Sequence, residues 1–215
     1  MSALERGELI ALKAIGTLLE YPRPEVRAAL PEIVEVIAGA RLLRPKDRQG
    51  LMDLVEFIRA ADPLLAEERY VALFDRGRAI SLHLFEHVHG EARDRGQAMV
   101  DLKAVYSAAG FDLTCRELPD YLPVVLEYLS CRDFAEAEAM LGDCAAILRR
   151  IGEALVARGS PYGAAFQALL GFIGAADLEV KAAARARKAE EDLDAEWVER
   201  PAFAPAEPGR GGRVS

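Results

Sequence analysis

Asp133-Phe134-Ala135-Glu136-Ala137-Glu138-Ala139-Met140-Leu141-Gly142-Asp143-Cys144-Ala145-Ala146-Ile147-Leu148-Arg149-Arg150-Ile151-Gly152-Glu153-Ala154-Leu155 is the most regular part of the chain and sets its fold class. Phe134, Ala137, Leu141, Cys144, Leu148, Ile151 and Leu155 alternate spacings of three and four, the stripe that one face of an α-helix buries. Asp133, with Glu136 three places on, forms a capping pair at the start. The spacing predicts one helix from Phe134 to Leu155 that lines the core, with Cys144 inside it.

The same period recurs on either side. Upstream, Pro119-Asp120 reads as the start of a helix that turns Leu122, Val125, Leu126 and Leu129 inward, and Met99, Leu102, Val105 and Ala109 form another closed by Gly110. Asp62-Pro63 reads as a cap and first-turn proline for a helix through Phe74. Earlier still, Leu51, Leu54, Val55 and Ile58 share a face, as do Val26, Leu30, Ile33 and Val36 or Ile37 before Gly39. Leu9, Leu12, Ile15 and Leu19 follow a Ser2–Glu5 capping box and stop at Pro22 and Pro24. Downstream, Gly159-Ser160-Pro161 ends one helix, and a last one carries Phe166, Leu169, Leu170 and Ile173. Period-two alternation is hard to find, so the chain reads as all-α: a single-domain compact helical bundle over residues 1–178. Residues 179–200 read as a loosely attached acidic helix that Trp197 pins to the body, and 201–215 as a disordered tail rich in Pro and Gly.

With 215 residues, 52% of them hydrophobic, the chain can bury one substantial core. Its 35 acidic residues against 27 basic ones give a net charge of −8, which argues against nucleic acid and favours a basic peptide as partner. Cys115, Cys131 and Cys144, separated by 16 and 13, match neither a zinc site nor a redox pair and suit a reducing compartment. Met1-Ser2-Ala3-Leu4-Glu5-Arg6 lacks the layout of a secretory signal, and no apolar run is long enough to span a bilayer. The expectation is a cytoplasmic protein with no direct membrane insertion.

The segment from Asp75 to Gly96 is bracketed by two Asp-Arg-Gly triplets and reads as shaped loops around a short helix that carries all three histidines. His83-Leu84-Phe85-Glu86-His87 fits the H-x-x-E-H pattern of inverted zinc proteases: two histidines four apart share a helical face, with Glu86 as general base. A zinc-dependent hydrolase is therefore the alternative reading, against ordinary groove histidines, because no third ligand is evident. Glu67-Glu68 and Glu190-Glu191-Asp192 read as solvated faces rather than catalytic pairs. No Gly-x-Ser-x-Gly elbow occurs, and the glycines from Gly209 to Gly212 have no strand before them. Neither a resident cofactor nor a metal is called for.

Between Tyr70 and Tyr128, polar and aromatic residues are dense without forming a catalytic arrangement, a profile that suits a binding surface. The groove candidates are Tyr70, Phe74, Arg76, Glu86, His87, His89, Glu91, Asp94, Glu117, Asp120, Tyr121, Glu127 and Tyr128. Aromatic side chains supply contact area and the carboxylates meet Arg or Lys on a partner. The alternative is that the aromatics are core and the charges cap helices.

Several blocks resemble the NarJ-type nitrate reductase chaperones, relatives of the TorD and DmsD redox-enzyme maturation proteins. They are Leu19-Glu20-Tyr21-Pro22, Tyr70 through Ala79, Leu84 through Glu91, Arg93 through Leu102, Arg116-Glu117-Leu118-Pro119-Asp120-Tyr121-Leu122-Pro123 and Leu126-Glu127-Tyr128-Leu129. Likeness is weaker over 4–65 and 133–198 and does not extend past Pro201. The resemblance implies an all-helical chaperone that binds, as a helix in a groove, the N-terminal leader of a respiratory nitrate reductase catalytic (alpha) subunit. It would hold that subunit for iron–sulfur and molybdenum cofactor insertion, alongside the insertion machinery, and would not itself be an enzyme. Related chaperones carry His where this chain has Tyr121, which removes any role that needs an imidazole there.

Overall fold

Prolines open three of the first four helices. α2 (Pro24–Gly39), α3 (Pro45–Ala60) and α4 (Pro63–Phe74) each start on one, where the fixed φ suits the first turn and the missing N–H costs nothing. At α4 the expected cap is present, with the Asp62 carboxylate accepting from the N–H groups of Leu64 and Leu65. A computed structural model of the chain describes residues 3–75, 77–88, 92–113 and 117–179. The other described helices are α1 (Ala3–Leu18), α5 (Ala92–Ala108), α6 (Leu122–Ser130), α7 (Phe134–Asp143), α8 (Ala145–Ala157) and α9 (Gly163–Phe172). There is no strand among the described residues, so the all-α class stands.

α1 turns one face into the core. Leu9, Leu12, Ile15 and Leu19, on and just after it, are fully buried, each contributing about 1.5–3 kcal/mol by leaving water. α1 packs against α6 and α2, α3 packs against α2 and α9, and α9 packs against α8. Gly16 permits the α1–α6 contact: a Cβ there would meet the Pro123 carbonyl oxygen at 3.2 Å and Leu126 Cβ at 3.3 Å. Arg27 ties α2 to the end of α3 by donating to the carbonyls of Ile58 (2.6 Å) and Ala61 (2.9 Å), which satisfies acceptors the helix leaves open.

The stripe from Phe134 to Leu155 is two helices instead of one. α7 ends at Asp143, Cys144 takes φ −89° and ψ −1°, and α8 begins at Ala145. Gly142 and Asp143 are weak helix formers placed at the joint, and the bend lets α7 meet α6 while α8 lies along α9. The apolar register survives, since Ala137, Leu141, Leu148, Ile151 and Leu155 are all buried. Pro119-Asp120 also lies outside the helix it was expected to open: Tyr121 is the N-cap and α6 starts at Leu122.

α5 ends as expected, with Gly110 at φ +73°. Its inward face is not the expected one. Val105 is exposed, Met99, Leu102 and Ala109 are half-buried, and of the side chains from 94 to 108 only Tyr106 is buried. The Tyr106 hydroxyl donates to the Pro119 carbonyl at 2.9 Å, and its ring packs on Tyr128 and Phe111. α4 is held almost as sparingly, through Ala66, Tyr70 and Phe74.

After α9 the chain stays fastened to the body. Arg149 donates to the carbonyls of Ala176 (2.6 Å) and Asp177 (3.0 Å), and Asp177 pairs with Arg44 (3.0 Å) and with Lys46. Leu178 N donates to Gln167 Oε1 at 2.9 Å. The acidic helix and tail expected from 180 onward lie outside the described residues, as do Ser2, Cys115 and Trp197. Among the described residues no helix is long and apolar enough to cross a membrane.

Candidate functional site

Residues 81–88 and 117–122 form one tied unit. Ser81-Leu82-His83 runs extended, bridging antiparallel to Tyr121, with Leu122 N donating to Leu82 O (2.8 Å) and Leu84 N to Asp120 O (3.0 Å). A short 3₁₀ turn, Leu84–His87, follows. Asp120 is the knot: its side chain is fully buried, Oδ2 accepts from Phe85 N at 3.0 Å, and Oδ1 lies 3.3 Å from His83 Nδ1. The hydrogen bond to Asp120 raises the His83 pKa against the opposing effect of burial. The Tyr121 ring covers His83, with ring centres 5.2 Å apart.

His87 behaves in the opposite way. Its Nε2 donates to the Ser81 carbonyl at 2.8 Å, which leaves Nδ1 as acceptor for the Arg150 guanidinium of α8. Burial, and then Arg150, push its pKa down, so the ring is held neutral. The short helix expected to carry all three histidines is therefore absent: His83 precedes the turn in extended backbone, His87 ends it, and His89 lies outside the described residues. The shared face that zinc needs does not form. His87 spends both ring nitrogens on protein partners, Glu86 pairs with Arg95 at 3.1 Å, and among the described residues no cluster could hold a metal ion. The zinc hydrolase reading has no support in this geometry.

The remaining groove candidates divide by burial. Tyr70, Phe74, Tyr128 and Asp120 are core side chains in this conformation. Tyr70 donates to Leu19 O at 2.7 Å within a cluster of Tyr21, Phe74 and Tyr162, and burial drives its pKa far up. Tyr128 donates to Glu136 Oε1 at 2.5 Å; burial and then that bond push its pKa up to about 12. Tyr121 is half-buried, with its hydroxyl 3.4 Å from that of Tyr70 and its pKa pushed up to about 12, chiefly by burial. Glu86, His87 and Glu127 are partly exposed, Glu127 pairing with Lys13 of α1 at 2.8 Å, while Asp94 and Glu117 are exposed. Arg76, His89 and Glu91 lie outside the described residues. The structure thus brings Glu86, His87, Asp94, Glu117 and Tyr121 to the surface in and around one tied unit. Sequence reading passed over Tyr21, which packs edge-on against Tyr70 at 5.6 Å; its place in the resembling block Leu19-Glu20-Tyr21-Pro22 was the available signal.

Residues 24–168 match the family described as Nitrate reductase delta subunit. The chain is 44% identical to the Nitrate reductase molybdenum cofactor assembly chaperone NarJ of Escherichia coli K12, over 89% of this chain and 83% of that protein. It is 42% identical to the Probable nitrate reductase molybdenum cofactor assembly chaperone NarW of the same organism, over 87% and 80%. A Bacillus subtilis protein named Probable nitrate reductase molybdenum cofactor assembly chaperone NarJ is 32% identical over 75% and 86%. With a family match across most of the helical body and near-full-length relatives, this chain belongs to the nitrate reductase delta subunit family.

Proposed function

We propose that the chain is an assembly chaperone for a nitrate reductase, acting by binding the catalytic subunit and not by catalysis. The observation that carries this reading is the 44% identity to a protein named for that role, extending over 89% of this chain. The bound element is the N-terminal leader of the catalytic subunit, held in the cytoplasm until molybdenum cofactor and iron–sulfur insertion is complete. A net charge of −8 favours a basic amphipathic helix as ligand, and helix-in-groove recognition uses apolar anchors with flanking charge pairs. Tyr121, Glu117, Glu86, His87 and Asp94 are the contact residues in this proposal, with Arg76, His89, Glu91 and Glu127 included on sequence grounds. Asp120, Tyr70, Phe74 and Tyr128 hold that face from beneath.

Calorimetric titration of the full chain with a synthetic leader of the host's nitrate reductase catalytic subunit tests this, with zinc measured on the same sample. Saturable one-to-one binding by metal-free protein is the expected result. Absence of any binding, or dependence on stoichiometric zinc, overturns it.

A further inference from the structure

A cleft of about 430 Å³ lies between Tyr21 and the outer side of α4, lined by Tyr21, Leu64, Glu67, Glu68, Val71 and Ala72. Leu64, Glu68, Val71 and Ala72 recur at helical spacing, so they form one stripe along α4, opposite the buried Ala66, Tyr70 and Phe74. This stripe mixes chemistries. Leu64 is 65% exposed, the most exposed large hydrophobic among the described side chains, and Val71 and Tyr21 are also open, whereas Glu67 and Glu68 stand beside them as carboxylates. The Tyr21 hydroxyl donates to Glu67 at 2.9 Å, and with Asp75 also nearby every charge that perturbs it is negative. Apolar walls with an acidic rim exclude an anionic ligand and fit a side chain with an apolar stem and a cationic head.

The cleft adjoins the face described above, because Tyr21 packs on Tyr70, whose hydroxyl meets that of Tyr121. We infer that this cleft is a docking subsite for a helical peptide that sets one large apolar side chain against Leu64 and Val71 and, a turn away, a Lys or Arg against Glu67 and Glu68. This rests on the peptide-binding reading of the chain and adds a second anchor to it, on α4, beside the tied unit of 81–88 and 117–122.

The test is an anisotropy titration of the labelled leader peptide against the full chain and two surface variants. Ala72→Trp fills the cleft and Glu68→Lys reverses its rim. The expected result is wild-type saturation, a loss of about tenfold in affinity for Ala72→Trp, equivalent to about 1.4 kcal/mol, and a several-fold loss for Glu68→Lys. Glu68→Lys should recover when the single Lys or Arg of the peptide one turn from its apolar anchor is replaced by Glu, a rescue that a merely misfolded variant cannot show. If the wild type saturates and both variants bind equally well, the cleft is refuted and the chaperone reading stands. If the wild type binds no leader, both fail together.

Discussion

Replacing Asp120 by Ala removes a buried carboxylate that two partners share. The Phe85 N–H, at 3.0 Å, makes a well-formed bond to a charged acceptor, worth about 1.5–3 kcal/mol. His83 lies at 3.3 Å with its side chain 28% exposed, so its share is smaller, about 0.5–1 kcal/mol. The sum is about 3 kcal/mol, which lowers the melting temperature by about 6–12 °C in a chain of this size. Asp120→Asn keeps an acceptor for Phe85 and costs about 1 kcal/mol. The His83 pKa is raised in the fold, so its contribution is fully present below the ordinary imidazole value and is lost as pH rises through the raised one. The Ala variant therefore loses more at about pH 5.5 than at about pH 8.5. Urea unfolding followed by circular dichroism at both pH values measures this. A loss under about 1 kcal/mol at both, or a larger loss at the higher pH, refutes the role given to Asp120 as the knot between the two segments.

Three further outcomes are expected. His87 has its pKa lowered by burial, so its own effect is to destabilise the fold as pH drops below the ordinary imidazole value, opposite to His83. His87→Gln should therefore raise the melting temperature at about pH 5 relative to that at about pH 8, compared with wild type. Gly171→Ala would set a Cβ 2.5 Å from both Arg44 Nη2 and Asp47 Oδ2, splitting a pair whose carboxylate is buried, and should cost about 1–3 kcal/mol in chemical unfolding. Cys131 is exposed while burial raises the Cys144 thiol pKa, so iodoacetamide followed by peptide mapping should find Cys131 alkylated well before Cys144; equal rates would contradict the placement of Cys144 against the core.

What could be read in advance was whatever depends on neighbours along the chain. The Asp62-Pro63 start of α4, the Gly110 stop and the apolar faces of α1 and α6 are local, and each appears where the spacing put it. The break at Cys144 escaped because a bend of one residue leaves the three-and-four spacing intact; Gly142-Asp143 was the only local sign. The His83 segment escaped for a different reason. Its conformation is set by hydrogen bonds to residues 120–122, nearly forty positions away, and periodicity carries no information about such pairings. Composition likewise cannot separate a core tyrosine from a surface one, and Tyr70 and Tyr128 proved to be core.

The sparse anchoring of α4 and α5 divides the molecule into two mechanical grades. α1 and α6 cannot open without exposing the whole interior, so their amides should exchange with solvent deuterium only through global unfolding. α5 hangs on Tyr106 and α4 on one buried residue per turn, and the free energy to lift either is a fraction of the total. These are the two helices that border the candidate contact surfaces. If the chain binds a leader as proposed, a leader of different length or bulk would be accommodated by re-angling a peripheral helix at little cost, while the inner frame keeps its shape.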